Sequence, residues 1–314
     1  MTNRLLTAAG RAARANAPGC PFRARTVDLH VHSTCSDGVK TPEELARMAQ
    51  KTGVEILALC DHDSTGGVRR LQSALDGSGI ALIPGVEVST GQSGSTHILC
   101  YGENVLGPDM QQFLSRMAQE RTARAEEMIR LLAREGAVIP EGKRKELLAS
   151  PSVGRPHIAR ALIELGCVNT VKQAFDRYLS QGRPAYVPRK LLSTADAVDA
   201  LSRMHVLTVL AHPVRMGLEH EALHALIRSL KELGLRGLEA WHPSASSKAA
   251  AQLDQLARQC GLIVTGGSDY HGDPGSTMHM GRLPSGWERK SEDMDALLTA
   301  LTPMTNTKGA TSHV

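Results

Sequence analysis

In the stretch Val27-Asp28-Leu29-His30-Val31-His32, apolar and polar residues alternate with a period of two. Asp28, His30 and His32 therefore share one face of a strand. Two imidazoles placed side by side in this way can hold one metal ion through neutral nitrogens. Ser36-Asp37-Gly38 follows as a turn signal that would hold Asp37 just above the strand end. Alone, the stretch is equally well a polar strand face followed by a turn. Further acids and imidazoles change that balance. His62, Glu87, His97, His212, Asp269 and His271 also fall at or just past the ends of short apolar runs expected to be parallel strands. Six imidazoles and three carboxylates form a hard-to-borderline donor set. It suits Mn²⁺, the expected ion, or Fe²⁺ or Zn²⁺, better than Mg²⁺ alone. Nine ligands exceed what one ion uses, so a cluster of two or three divalent ions sharing a carboxylate is expected. Such clusters serve phosphoester hydrolysis.

The elements that must position these residues follow in order. Thr41-Pro42-Glu43-Glu44 is a capping box with proline in the first turn, and it starts a helix that stops at Gly53. Val54 to Cys60 reads as a buried strand delivering Asp61-His62-Asp63. A helix from Val68 to Leu75 leads to a third strand through Ile83 and Glu87, and Thr96 to Tyr101 is a fourth. This alternation predicts an α/β fold, a parallel barrel with its chemistry at the C-terminal face of the strands. From Pro108 to about Pro188 the pattern is helical, with Gly and Pro as punctuation, and it reads as an insertion between two barrel strands. Strands at 207–211, 235–240 and 262–265 then alternate with helices. The expected division is barrel at 27–104 and 188–300, insertion at 105–187, a disordered extension at 1–26 and a frayed tail at 301–314.

Composition bounds the function. The chain has 314 residues, 41% of them hydrophobic, which is ample for a large core. Aromatics at 3% argue against a stacking platform for single strands. A net charge of +4 fits an anionic substrate but not a protein that coats nucleic acid. The six cysteines are scattered without a C-x-x-C, which predicts reduced thiols and a cytoplasmic protein. No apolar run is long enough to span a bilayer, and no obligate protein partner is indicated. The arginine-rich, acid-free first twenty-six residues lack the apolar core of a secretory signal.

The segments DLHVHSTCSDG, ALCDHDSTGG, IPGVEVS, HILCYG, VLAHPVR and GGSDYHG, spread from Val27 to Gly272, together resemble the PHP (polymerase and histidinol phosphatase) family. The resemblance implies a distorted barrel of about seven strands with a trinuclear metal centre. Carried over by position, it implies that His30, His32, Glu87 and Asp269 hold one ion. Glu87 would bridge to a second ion bound by His97 and His212, and Asp37, His62 and His271 would hold a third. Asp37, His62, Glu87 and His271 are the residues expected to serve catalysis most directly. GRPHIARAL followed by FDRYLSQGRPAYVP resembles the free-standing bacterial subgroup that acts on 3′,5′-nucleoside bisphosphates and on the 5′ ends of short RNA or DNA. The implied reaction is phosphate hydrolysis by metal-activated hydroxide. Histidinol phosphatase is the alternative with the same chemistry. A proofreading or non-catalytic metal-binding module is the alternative from another class. Where relatives often read P-S-H-S, this chain has Pro243-Ser244-Ala245-Ser246, and Ala245 cannot bind metal or phosphate.

Substrate recognition then falls to cations outside the cluster. Arg121 and Arg124 share one face of the long insertion helix, and Arg155 opens the next, where a helix N-terminus favours phosphate. These three are the expected substrate-binding residues. Arg183, Arg189 and Lys190 read as solvated, and His157, Glu239 and His242 carry weaker signals.

Overall fold

The computed structural model describes residues 26–91, 96–273, 275–287 and 291–301. The expected extension before residue 26 and the tail beyond 301 lie outside the described residues. Chain order and sheet order coincide: β1 (Val27–Val31), β2 (Ile56–Leu59), β3 (Ala81–Thr90), β4 (Thr96–Tyr101), β5 (Leu207–Leu210), β6 (Gly237–Trp241) and β7 (Ile263–Gly266) form one seven-stranded sheet. A bridge between Val31 and Tyr270 brings the last strand round to the first, so the sheet is a nearly closed barrel. Short, wholly buried strands such as Ile56–Leu59 and Leu207–Leu210 are what a sheet covered on both faces requires.

Between β1 and β2 runs α1 (Pro42–Thr52), and between β2 and β3 runs α2 (Val68–Leu75). The α1 capping box forms as the sequence predicts. Thr41 accepts from the Glu44 N–H, the Glu44 carboxylate accepts from the Thr41 N–H, and Gly53 ends the helix at φ 72°. After β4 the chain is helical through α3 (Pro108–Arg134), α4 (Glu141–Leu148), α5 (Arg155–Glu164), α6 (Val171–Ala174) and a π-type turn at Phe175–Leu179. Ala125, Met128, Leu132, Ile158, Leu162 and Tyr178 belong to an apolar cluster of this segment, separate from those of the barrel. The barrel resumes with α7 (Thr194–Ser202), α8 (His220–Glu232), α9 (Ser247–Gln259) and α10 (Ser291–Leu301).

One strand departs from the expected parallel arrangement. β4 pairs antiparallel with β3, Glu87 opposite Leu99 and Ser89 opposite His97, and antiparallel again with β5. Only residues 91–95 separate β3 from β4, too few for the crossover of about a dozen residues that a parallel neighbour needs. The chain therefore reverses. His97 lies near the start of β4, and because β4 runs downwards its start is on the same rim as the ends of β1, β2 and β3. Among the described residues no helix is long and apolar enough to cross a membrane.

Candidate metal centre

β1 places His30 and His32 on one face, both without solvent exposure, and β3 brings Glu87, also fully buried, beside them. Glu87 is the hub. Its Oε2 lies 3.3 Å from His30 Nε2, 3.4 Å from His32 Nε2 and 2.9 Å from His62 Nδ1. Its Oε1 lies 2.8 Å from His97 Nδ1 and 2.9 Å from His212 Nε2. Each oxygen thus serves a different set of imidazoles, which suits a carboxylate shared between ions. Asp269 Oδ1, from the loop after β7, is 3.5 Å from His30 Nε2 and 3.2 Å from His32 Nε2. On the other side, Asp37 Oδ1 is 3.2 Å from His271 Nε2, and Asp37 Oδ2 is 3.9 Å from His62 Nε2.

The ligand atoms fall into three sets compact enough for an ion: His30, His32, Glu87 and Asp269; His62, Glu87 and His97; and His32, Asp37, His62 and His271. His32 and His62 each belong to two sets, and His212 joins through its contact with Glu87. Several buried polar atoms here have no hydrogen-bond partner: His30 Nε2, both nitrogens of His32, Asp37 Oδ1, His62 Nδ1, Glu87 Oε2 and His242 Nε2. A buried polar atom without a partner costs roughly 1–3 kcal/mol. So many at one place fit divalent ions, whose coordination would satisfy them together.

Charge in the protein alone is correspondingly displaced. Burial opposes ionisation of Glu87, yet His97, His62 and His30 hold its carboxyl well below the usual range. His271 is pushed up to about 10 against its own burial, by the hydrogen bond and charge of Asp37 and by Asp269. His32 moves the other way, down to about 3, through burial and the neighbouring His271. Asp63, His212 and Asp269 have φ of 51°, 29° and 51°, a region that side chains other than glycine seldom adopt. Such backbone costs of order 1–3 kcal/mol each and tends to concentrate at functional sites.

A second layer orients the ligands. Glu239 accepts from His30 Nδ1 at 2.9 Å and from the His212 N–H at 2.8 Å, so His30 presents Nε2 to the centre. Asp61 accepts from the Ser33 N–H and from the Ser33 and Ser36 hydroxyls, bracing the loop that carries Asp37. A Cβ on Gly267 would sit 2.2 Å from the His30 Cβ, so only glycine lets β7 pass so close to the imidazoles. Glu239 was a weak candidate in the sequence, although a lone acid between Leu238 and Ala240 inside a buried strand was a readable signal. Arg215, half exposed and 2.8 Å from Asp269 Oδ2, went unnoticed.

The arginines sort differently from expectation. Arg121 does not offer a free cation: its guanidinium is buried against Asp63 and bonds the carbonyls of Ser152 and Val153 and the Ser89 hydroxyl. The sequence could not reveal this pairing, because Asp63 follows β2 and lies 58 residues before Arg121. Arg189, expected to be solvated, shares Asp63 at 2.9 Å. Among the described residues, Arg124 donates to the Val187 carbonyl. Burial and the charges of Arg155, Arg189 and Arg121 pull it down to about 9, still protonated at neutral pH. The Arg155 guanidinium lies 5.4 Å from the Phe175 ring centroid and 5.9 Å from that of Tyr186, with no carboxylate beside it among the described residues.

Known proteins are similar to this chain in sequence and fold. The PHP domain matches residues 28–180. A 5′-3′ exoribonuclease of Haemophilus influenzae is 33% identical over 270 residues, covering 85% of this chain and 94% of its own. A 3′,5′-nucleoside bisphosphate phosphatase of Chromobacterium violaceum is 33% identical over 247 residues, covering 78% of this chain and 87% of its own. The solved structure of a metal-dependent phosphoesterase from Bifidobacterium adolescentis superposes with a TM-score of 0.77 at 27% identity, covering 90% of this chain and 99% of that one. With the barrel, the donor set and these relatives in agreement, the chain belongs to the PHP domain family.

Proposed function

We propose that the protein is a metal-dependent phosphoesterase that removes phosphate from 3′,5′-nucleoside bisphosphates and releases nucleotides from the 5′ ends of short RNA. The observation that carries this reading is the juxtaposition of the Glu87-centred ligand set with an arginine group whose one carboxylate partner among the described residues is Asp63. Two or three divalent ions, with Mn²⁺ foremost, would be held by His30, His32, Asp37, His62, Glu87, His97, His212, Asp269 and His271. Bound there, they supply activation of water and neutralisation of charge on a phosphoryl group. The helical segment, taken as an insertion at 105–187 between barrel portions at 27–104 and 188–300, supplies the rest of the pocket. Arg155, at the first turn of α5 and braced by Phe175 and Tyr186, receives a second phosphate with Arg124 beside it. Arg121 and Arg189 hold Asp63 and the 152–153 backbone that leads into α5. The relatives named above act on substrates of this kind, and the five described cysteines, all unpaired, fit a cytoplasmic protein.

The test is a panel of p-nitrophenyl phosphate, histidinol phosphate, adenosine 3′,5′-bisphosphate and a 5′-phosphorylated oligoribonucleotide, assayed with Mn²⁺. The bisphosphate and the oligonucleotide should have the highest kcat/KM. A preference for histidinol phosphate would overturn the substrate assignment and leave the phosphatase chemistry standing.

A further inference from the structure

The three ligand sets are not held in the same way. His30, Glu87 and His97 stand on strands, and His212 and Asp269 lie within a few residues of strand ends. Asp37 and His271 sit on loops five or six residues past their strands, Asp37 in the run Ser33–Lys40, where no ladder fixes it. What reaches this loop from outside the barrel is α5. His157 Nδ1 accepts from the Gly154 N–H at 3.2 Å, so its proton is on Nε2, which donates to the Ser36 carbonyl at 2.7 Å. Three residues on, and so on the same helix face, Arg160 Nη2 donates to the Asp37 carbonyl at 2.7 Å. The same nitrogen lies 2.8 Å from Asp273 Oδ1, two residues beyond His271. Arg160 therefore bridges the two loops that carry Asp37 and His271. Those loops also meet through a backbone bond from the Val39 N–H to the His271 carbonyl and through the Asp37–His271 contact itself.

Resting on the metal reading above, we propose that Arg160 is a positioning residue for the divalent ion of the His32, Asp37, His62 and His271 set. Its charge is matched by Asp273, which distinguishes it from Arg155 and leaves it no vacancy for phosphate. By fixing both loops it holds the Asp37 carboxylate and the His271 imidazole at one ion's distance. Groups that orient metal ligands in this way typically contribute about 10- to 100-fold to metal affinity.

The test uses the full chain and Mn²⁺ alone, by equilibrium dialysis with elemental analysis. The wild type should hold three ions. Arg160→Met, which keeps the aliphatic stem, should hold two as tightly as before and the third about 10- to 100-fold more weakly. Excess Mn²⁺ should restore its kcat with KM for the bisphosphate unchanged. Asp273→Asn, on the exposed end of the same bridge, should show the same selective loss and serves if the arginine variant does not fold. A wild type that never holds a third ion overturns the three-ion reading and this proposal with it. Three ions bound with unchanged affinities in both variants overturn this proposal alone, as does a raised KM with normal metal binding.

Discussion

The metal rim and the arginine face of the helical segment both bury charge, and they are out of balance in opposite senses. At the rim, Glu87, Asp269 and Asp37 draw on imidazoles for cations, and His30 is raised well above its usual range despite burial, by Glu239, Glu87 and Asp269. On the arginine face, burial and neighbouring arginines pull Arg124 down to about 9 and Arg189 to about 10, and Asp63 is the carboxylate that Arg189 shares with Arg121. The rim gathers carboxylates and imidazoles suited to cations, and the arginine face gathers cations suited to anions. On the proposed function, a phosphorylated ligand accompanied by divalent ions would satisfy both. Neither region alone would select a substrate with two phosphates.

Removing the hub should break the rim most severely. Glu87→Gln keeps shape but takes a negative charge from two ligand sets, so kcat with Mn²⁺ should fall by at least about a thousandfold, the scale of losing a principal electrostatic group. Circular dichroism should report an intact fold, and near-normal turnover would remove Glu87 from the centre. The arginine face breaks differently. Arg155→Ala should lower kcat/KM for adenosine 3′,5′-bisphosphate by about 10- to 150-fold, since a charge-assisted contact contributes roughly 1.5–3 kcal/mol. For p-nitrophenyl phosphate the loss should be small, and equal losses on both substrates would make Arg155 a structural residue. The mildest change sharpens the contrast from the rim side. Glu239→Gln frees the His30 tautomer without touching any ligand, and should weaken binding of the first ion by about 10- to 100-fold in a Mn²⁺ titration. The affinity of a metal-free sample for a nucleotide seated on the arginines, read by direct binding, should be unaltered.

Much of the rim was legible because strand alternation and strand ends are properties of short segments. His30 and His32 need only a period of two, and His62 needs only the apolar run before it. The reversal of β4 was written in the brevity of residues 91–95, since a five-residue connection cannot carry a crossover helix. The fate of Arg121 was not legible. Whether a helical arginine meets solvent, phosphate or an acid depends on what packs opposite, and Asp63 precedes it by 58 residues. Helix α4 was missed for a related reason: Glu141–Leu148 is charged nearly all round, with Leu147 its buried residue. A helix without an apolar stripe gives periodicity nothing to detect.

The reversed strand also sets the order in which the sheet can assemble. Every parallel pairing in the barrel must wait for a helix to be closed over it, whereas five residues separate β3 from β4. The loop-closure cost of that hairpin is accordingly the smallest in the sheet, and local pairings of this kind form fastest. Glu87 and His97 lie on its two arms, with Glu87 Oε1 and His97 Nδ1 2.8 Å apart in the folded chain. Low contact order therefore favours early pairing of this hairpin, which would bring Glu87 and His97 together before the parallel strands close.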